Sequence, residues 1–377
     1  MREISLYIHI PFCVKKCDYC DFLSAPATSV VQEQYLHALF QEIAVRGEAY
    51  RDACIRTVFI GGGTPSILAP EQIQRLMETV KKHFSVAADA EISMEVNPGT
   101  IHDPEAFAIF KEAGINRLSI GLQSANDGEL KLLGRIHTFS QFERTWQQAG
   151  DAGFSNCNID LISALPGQSV ESYRNTLEVV CALQPSHISA YSLILEEGTP
   201  FFSRYAYLLQ DEEHEERDRQ MYLLTEQILQ KYGYVRYEIS NYARPGKECR
   251  HNLVYWTRGE YLGLGIGAAS LINNTRYKNA SGLNNYLEAG GILPYEEVQT
   301  LSVREQMEEF LFLGLRLTKG ILKKDFSQTF HCPVESVFGE AIARNLKEGL
   351  LLSDAERIWL TPRGRDLSNY VFAGFLE

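Results

Sequence analysis

Tyr7-Ile8-His9-Ile10-Pro11-Phe12-Cys13-Val14-Lys15-Lys16-Cys17-Asp18-Tyr19-Cys20-Asp21-Phe22 reads as a short β-run that gives way to a loop carrying three cysteines. The spacing C-x3-C-x2-C puts three thiolates on one short loop. A [4Fe–4S] cube normally takes four cysteines. Three leave one iron open to a substrate or a cofactor, and Lys15 and Lys16 bring positive charge to a negatively charged cluster. Zinc is the competing reading, although structural zinc sites want four ligands, often in two pairs. His9 is a candidate fourth ligand, but within the strand it should point away from the loop. Unrelated free thiols are the other alternative.

Further along the chain, β-like runs at 5–10, 57–60, 92–96, 117–122, 158–162 and 187–193 are rich in Ile, Val, Leu or Tyr. Longer segments with helical periodicity lie between them. Residues 31–46 place Tyr35, Leu39, Ile43 and Arg46 three to four apart, an apolar stripe with a charged end. Segments 70–84, 104–113, 140–152 and 170–183 follow suit. Pro70 before Glu71, and Asp103 before Pro104-Glu105, are start signals; Gly47, Gly114 and Gly153 are stop signals. Repeated βα units imply a parallel sheet with right-handed crossovers. An open doubly wound sheet and a barrel both satisfy that pattern.

The chain has 377 residues, enough for two or three domains at roughly 100–200 residues each. Its 36 Lys and Arg against 48 Asp and Glu give a net charge of −12, which argues against a nucleic-acid partner. No stretch approaches the 18 or so apolar residues of a membrane span. Residues 1–12 alternate, with no basic region or cleavage signal, so a cytoplasmic location is expected. Reversible contact with a membrane surface stays open. Three of the eight cysteines fall between residues 13 and 20. In such a compartment clustered thiols read as metal ligands or redox groups.

After residue 200 the βα pattern loosens. Residues 211–232 form a charged helix whose acidic start is a solvated face. Residues 233–295 are rich in Gly, Asn and Tyr and look irregular. Gly263-Leu264-Gly265-Ile266-Gly267 has fingerprint spacing, but no clear helix follows, so a late strand or turn is the better reading. From Ser302 the outline is helix, helix and small hairpin, winged-helix-like, which sets a boundary near residue 296: 1–295 and 296–377.

Together, C-x3-C-x2-C after a first strand and Gly61-Gly62-Gly63-Thr64-Pro65 after the second resemble the radical S-adenosylmethionine (SAM) enzymes. Glu95-Val96-Asn97-Pro98, Ser119-Ile120-Gly121-Leu122-Gln123-Ser124, Arg135-Ile136-His137 and Asp160-Leu161-Ile162-Ser163-Ala164-Leu165-Pro166-Gly167 narrow this to the HemN/HemW branch, the coproporphyrinogen-oxidase-like proteins. The resemblance implies an α/β fold, a partial (β/α)6 barrel, with the cluster on Cys13, Cys17 and Cys20 at its C-terminal mouth. It implies SAM contacts from Tyr7, Tyr19 (beside the adenine), Gly62, Gly63, Thr64, Glu95, Gln123, Arg135, Asp160 and Ile194.

Coproporphyrinogen oxidases of this branch carry C-x3-C-x2-C-x-C and a longer leading segment. Here the fourth position is Phe22, and 12 residues precede Cys13. Cys249-Arg250-His251-Asn252-Leu253-Val254-Tyr255-Trp256 contains the H-N-x-x-Y-W of the HemW proteins. That resemblance implies a chaperone that binds heme, with His251 as an iron ligand, and passes it to acceptor hemoproteins. His331-Cys332-Pro333 holds a Cys-Pro pair, read as a turn. An enzyme acting on a porphyrin or another small molecule, and an RNA-modifying enzyme, are the competing classes; the acidic balance counts against the latter.

Overall fold

The structure, a computed structural model, describes residues 2–101 and 103–376. Six strands rise in sequence order: β1 (Arg2–Ile10), β2 (Ala53–Gly62), β3 (Ser85–Val96), β4 (Arg117–Gln123), β5 (Cys157–Ser163) and β6 (His187–Ser192). Neighbours pair in parallel from β1 through β6. Helices Ser29–Ala49, Pro70–His83, Ala106–Glu112, Phe139–Asp151 and Val170–Ala182 make the crossovers. All six strands expected from the sequence are present.

The outer faces of these strands are apolar. Leu6, Ile8, Val58, Ile60, Leu118, Ile120, Ile159 and Leu161 share one buried core with Leu36, Leu39, Leu76 and Leu177 of the helices. The inner faces are polar: Ser5 on β1, Thr57 on β2, Glu91, Ser93 and Glu95 on β3, Ser119 on β4, Asn158 and Asp160 on β5, His187 and Ser189 on β6. Because side chains alternate across a strand, each strand serves both surfaces.

Two departures refine the expected helices. Gly47 lies inside the first helix rather than after it, and a Cβ there would come within 2.5 Å of the His83 carbonyl. It permits close helix packing. Asp103 is not an N-cap; its Oδ1 accepts from Glu105 N–H at 2.9 Å, closing a turn before the helix begins at Ala106. Gly114 and Gly153 do follow helix ends with positive φ, +102° and +82°.

Residues 233–295 are less irregular than their composition suggests. β7 (Val235–Arg236) and β8 (Asn241–Ala243) extend the sheet beyond β6. β9 (Tyr261–Leu264) pairs in parallel with β1, and β10 (Ala269–Ile272), β11 (Thr275–Asn279) and β12 (Tyr295–Thr300) continue antiparallel. The twelve-stranded order is linear, so the sheet is an open, partial barrel. The Gly263–Gly267 run ends β9 and is followed by a strand. Gly265 has φ +88°, its N–H donates to buried Glu42 at 2.8 Å, and a Cβ there would strike Tyr35.

A second apolar core contains Leu311, Leu315, Phe326, Phe338, Ile342 and Ile358. Its elements are helices Val303–Gly314, Lys323–Phe330 and Val334–Lys347 with the hairpin β14 (Leu351–Ser353) and β15 (Arg357–Leu360), joined by β13 (Ile321–Leu322). This is the winged-helix-like outline. Residue 296 itself falls inside β12, an edge of the large sheet. Among the described residues no helix is long and apolar enough to cross a membrane.

Candidate functional site

Past β1 the chain leaves the sheet at Pro11 and returns near Ala25. Cys13 N–H donates to Ala25 O at 3.2 Å and Ala25 N–H to Pro11 O at 3.0 Å, so the cysteine loop is closed at its base. Cys13, Cys17 and Cys20 are all free and half-buried. Cys13 Sγ lies 3.3 Å from Thr64 Oγ1. Burial pushes the Cys20 thiol up to about 11. Among the described residues, no three His, Cys, Asp or Glu side chains are gathered at metal-binding separation.

His9 does not serve the loop as a ligand. Its Nε2 is 2.8 Å from Leu23 O and its Nδ1 3.0 Å from the Tyr7 hydroxyl. It ties the far leg of the loop to β1. Burial lowers its pKa, against the Leu23 carbonyl, so the ring is neutral with both nitrogens used.

The glycine turn after β2 lies against the near leg. Gly63 N–H donates to Ile10 O at 2.9 Å and Thr64 N–H to Phe12 O at 2.7 Å. A Cβ on Gly63 would lie 2.6 Å from Phe12 O, and one on Gly62, φ +108°, 2.2 Å from His9 Nδ1. Only glycine fits both positions.

Glu95 and Asp160 face the same interior. Gly62 N–H donates to Glu95 Oε2 at 3.0 Å. Burial, with Asp160 adding repulsion, pushes the Glu95 carboxyl up to about 8. Asp160 is raised too, mainly by burial, but Ser119 Oγ (3.0 Å) and Asn158 Nδ2 (2.7 Å) donate to it and oppose the shift. It stands in the middle of β5.

Arg135 connects the carboxyl side to the cysteine loop. Its guanidinium donates to Cys17 Sγ at 3.5 Å, Asn97 Oδ1 at 2.8 Å and Gly121 O at 2.7 Å, while Nε is buried without a partner. Burial alone would lower its pKa, but Tyr19 and Cys17 outweigh this. Gln123 has φ +74° at a register shift in β4. A Cβ on Gly121 would meet both Gln123 Nε2 (3.0 Å) and Arg135 (3.2 Å), so that glycine makes room for the two side chains. Tyr19 packs edge-on against Phe201 at 6.3 Å. Ile194 lies past the end of β6 and is 68% exposed.

The donor set suits an anionic cluster and a zwitterionic ligand: three thiols on one loop, an unspent guanidinium N–H beside them, two carboxyls that lack full compensation, and a backbone cradle with no room for side chains.

A profile of the Radical SAM superfamily matches residues 7–180, and one of the HemN C-terminal domain matches 301–367. The chain is similar to the heme chaperone HemW of Lactococcus lactis, 38% identical over 372 residues (99% of this chain, 97% of that one). It is 35% identical over 375 residues to the heme chaperone HemW of Bacillus subtilis, covering 99% of each chain. The chain belongs to the HemW family of radical SAM proteins. The solved structure of Escherichia coli coproporphyrinogen III oxidase (HemN), a radical SAM enzyme, superposes with a TM-score of 0.85 at 27% identity, covering 99% of this chain and 90% of that one.

Membership brings a [4Fe–4S] cluster and SAM as resident cofactors. In this HemW-family chain the H-N-x-x-Y-W segment departs from expectation. It is the helix Arg250–Trp256, not an exposed loop, and His251 is 1% exposed. Glu91 holds the helix start: its carboxylate accepts from Arg250 N–H at 3.1 Å and His251 N–H at 3.0 Å. His251 Nδ1 lies 2.7 Å from Thr57 Oγ1 and Nε2 2.9 Å from the Tyr255 hydroxyl. Glu91, Arg117, Asn158 and His187 are interior residues that motif reading passed over, and Asn97, Ser119 and Gly121 stand in quoted motifs to which it gave no individual role. The available signal is the polar alternation 91-93-95, 117-119-121 and 187-189 within otherwise apolar strands.

Proposed function

We propose that this protein is a heme chaperone that keeps the cluster and SAM site of its superfamily and delivers heme to acceptor hemoproteins. Kinship to chains called heme chaperones across 99% of its length, barrel and C-terminal unit together, carries this reading. Cys13, Cys17 and Cys20 hold the cluster, whose open iron, when bound, supplies a Lewis-acidic site and an electron. Gly62, Gly63 and Thr64 cradle the cofactor's backbone-like end. Arg135 offers a carboxylate its guanidinium face. Glu95 and Asp160 take donors, and Tyr7, Tyr19 and Gln123 line the remainder. Ile194 contributes an apolar contact from the rim. We draw the boundary between the two units just after β12, near residue 301. Free thiols at all eight cysteines suit the reducing cytoplasm.

The TM-score of 0.85 to a coproporphyrinogen oxidase favours a second reading, an enzyme acting on a porphyrin. Phe22, 61% exposed where those oxidases carry a fourth cysteine, weighs against it. One experiment separates the two. Anaerobically reconstituted protein should bind heme, hand it to an apo b-type hemoprotein, and leave coproporphyrinogen III unconsumed. Decarboxylation at a useful rate overturns the chaperone reading.

A further inference from the structure

The expected role of His251 was heme-iron ligation, and its surroundings do not fit. An iron ligand needs an imidazole lone pair with open space before it. His251 has neither. Its ring packs tilted against Phe59 at 5.2 Å and meets Tyr255 edge-on at 5.1 Å.

The proton order of this contact chain follows from its donors. The Thr57 hydroxyl donates its one proton to Ser5 Oγ at 2.8 Å. The contact between Thr57 and His251 is therefore Nδ1–H donating to Thr57 Oγ1. A neutral imidazole protonated at Nδ1 accepts at Nε2, so the Tyr255 hydroxyl donates to Nε2. Burial, aided by Arg117, lowers the imidazole to about 3 and holds it neutral. With its proton spent on His251, the Tyr255 oxygen has only lone pairs left to offer.

Tyr255 neighbours residues assigned to the cofactor cavity. Phe59, whose ring contacts His251, also stacks with Tyr7 at 6.4 Å. Phe59 and the Glu95 carboxyl both come within 2.9 Å of where a Cβ on Gly61 would stand. Tyr255 is in electrostatic reach of Glu95, and Tyr7 is in reach of both. Tyr255 is half-buried, unlike His251 beneath it.

We infer that His251 is a positioning residue of the SAM cavity: it fixes the Tyr255 oxygen as a hydrogen-bond acceptor toward the cofactor, and it does not ligate heme iron. The inference rests on the barrel mouth being the SAM site.

The test compares SAM affinity and the heme spectrum in reconstituted full-length variants. His251→Ala should weaken SAM binding by about tenfold, the scale of one hydrogen bond to a charged or polarised group. His251→Gln, which returns an acceptor to the Nε2 position, should restore most of it. Tyr255→Phe should match His251→Ala, and the double variant should be no weaker than either alone. Soret position and heme affinity should stay at the wild-type values throughout. Unchanged SAM affinity in His251→Ala, or a lost or shifted Soret band, overturns the inference. If His251→Ala does not fold, the pair Tyr255→Phe and His251→Gln decides: unchanged SAM affinity in Tyr255→Phe overturns it. If the wild type binds no SAM, the reading of the cavity falls first; if the wild type binds and the variants bind equally, only this inference falls.

Discussion

Gly62 N–H donates to Glu95 Oε2 at 3.0 Å, and among the described residues this is the one hydrogen bond to that carboxyl. The turn that hugs the cysteine loop and the end of β3 are thereby one unit. The bond does not offset burial and the nearby Asp160, and the carboxyl is pushed up to about 8. Strands that carry such groups inward trade stability for chemistry, since a buried carboxyl without full compensation costs free energy.

SAM binding should therefore be linked to proton release. Below about pH 8 the Glu95 carboxyl holds its proton. A cation in the cavity favours the carboxylate, so binding expels that proton and tightens as pH rises. The gain approaches about tenfold per pH unit on the acid side and levels off above the raised value. Glu95→Gln removes this component, while any titration of SAM itself remains. Calorimetry in two buffers of different ionisation heat should show the wild type releasing one more proton than Glu95→Gln near pH 7. Equal proton counts would sink the assignment.

Two glycines with positive φ should respond differently to alanine. Gly62→Ala forces a Cβ to 2.2 Å from His9 Nδ1 at φ +108°. His9 must then release Leu23 or Tyr7. The expected cost is about 2 kcal/mol or more in a denaturant melt, with SAM binding lost. Gly167, at φ +75°, has nothing within 4 Å of its missing Cβ. Gly167→Ala should cost about 1 kcal/mol and leave SAM affinity alone. Equal losses at both sites would show that strain, not crowding at His9, governs the turn.

Much of this is legible in the sequence. The six strands and the cysteine loop follow from apolar runs and spacing. The interior did not follow, because parallel strands buried on both faces normally read as continuous apolar runs, whereas Glu91-Ile92-Ser93-Met94-Glu95 alternates like a strand with one wet face. Here the second face is a polar core. His251 was hidden for another reason. Its helix is short, lies in a Gly-, Asn- and Tyr-rich stretch, and takes its N-terminal cap from Glu91, 160 residues away. Local patterning holds no trace of such a cap. Gly47 read as a stop signal because helix packing against His83 is a tertiary fact.

The cysteines divide by position. Cys13→Ala, Cys17→Ala and Cys20→Ala should each lose most of the roughly four irons per chain and the broad absorbance near 400 nm after anaerobic reconstitution. Cys54→Ala should keep both. Cys157 and Cys181, 4% and 1% exposed on the outer face and a helix, should also keep the iron, at about 1 kcal/mol each in stability. Full iron content in the triple variant of the first set would remove the cluster from this loop.

Arg135→Lys should separate SAM binding from cluster assembly. The guanidinium reaches Cys17, Asn97 and Gly121 from one plane. Lysine keeps the charge but cannot reproduce a planar fork. Iron content should stay near wild type while SAM affinity falls by about tenfold or more. Loss of iron with affinity per cluster unchanged would instead make Arg135 a support of the cysteine loop.

The C-terminal unit is coupled to the H-N-x-x-Y-W helix through Arg316. Its guanidinium lies 4.4 Å above the Trp256 ring and 3.7 Å from Glu238 Oε2, an oxygen that is buried and accepts no hydrogen bond. Glu238 also bridges to Leu317, and Thr318 N–H donates to Tyr237 O at 3.0 Å, so the two units meet along this seam. Removing one partner of a buried pair costs more than the pair contributes, because the other charge stays behind. Arg316 is 28% exposed at its side chain, so solvent screens part of that penalty. Arg316→Ala should destabilise the protein by about 2 kcal/mol in a denaturant melt. Glu238→Gln added to it should recover part of the loss, since the stranded charge is then gone. Limited proteolysis near residue 301 should quicken in Arg316→Ala and slow again in the double variant. A double variant less stable than Arg316→Ala would mean that Glu238 works through Ser240 and Asn241, to which it is also bonded at 2.8 and 2.6 Å, and that the charge pair is not what holds the seam.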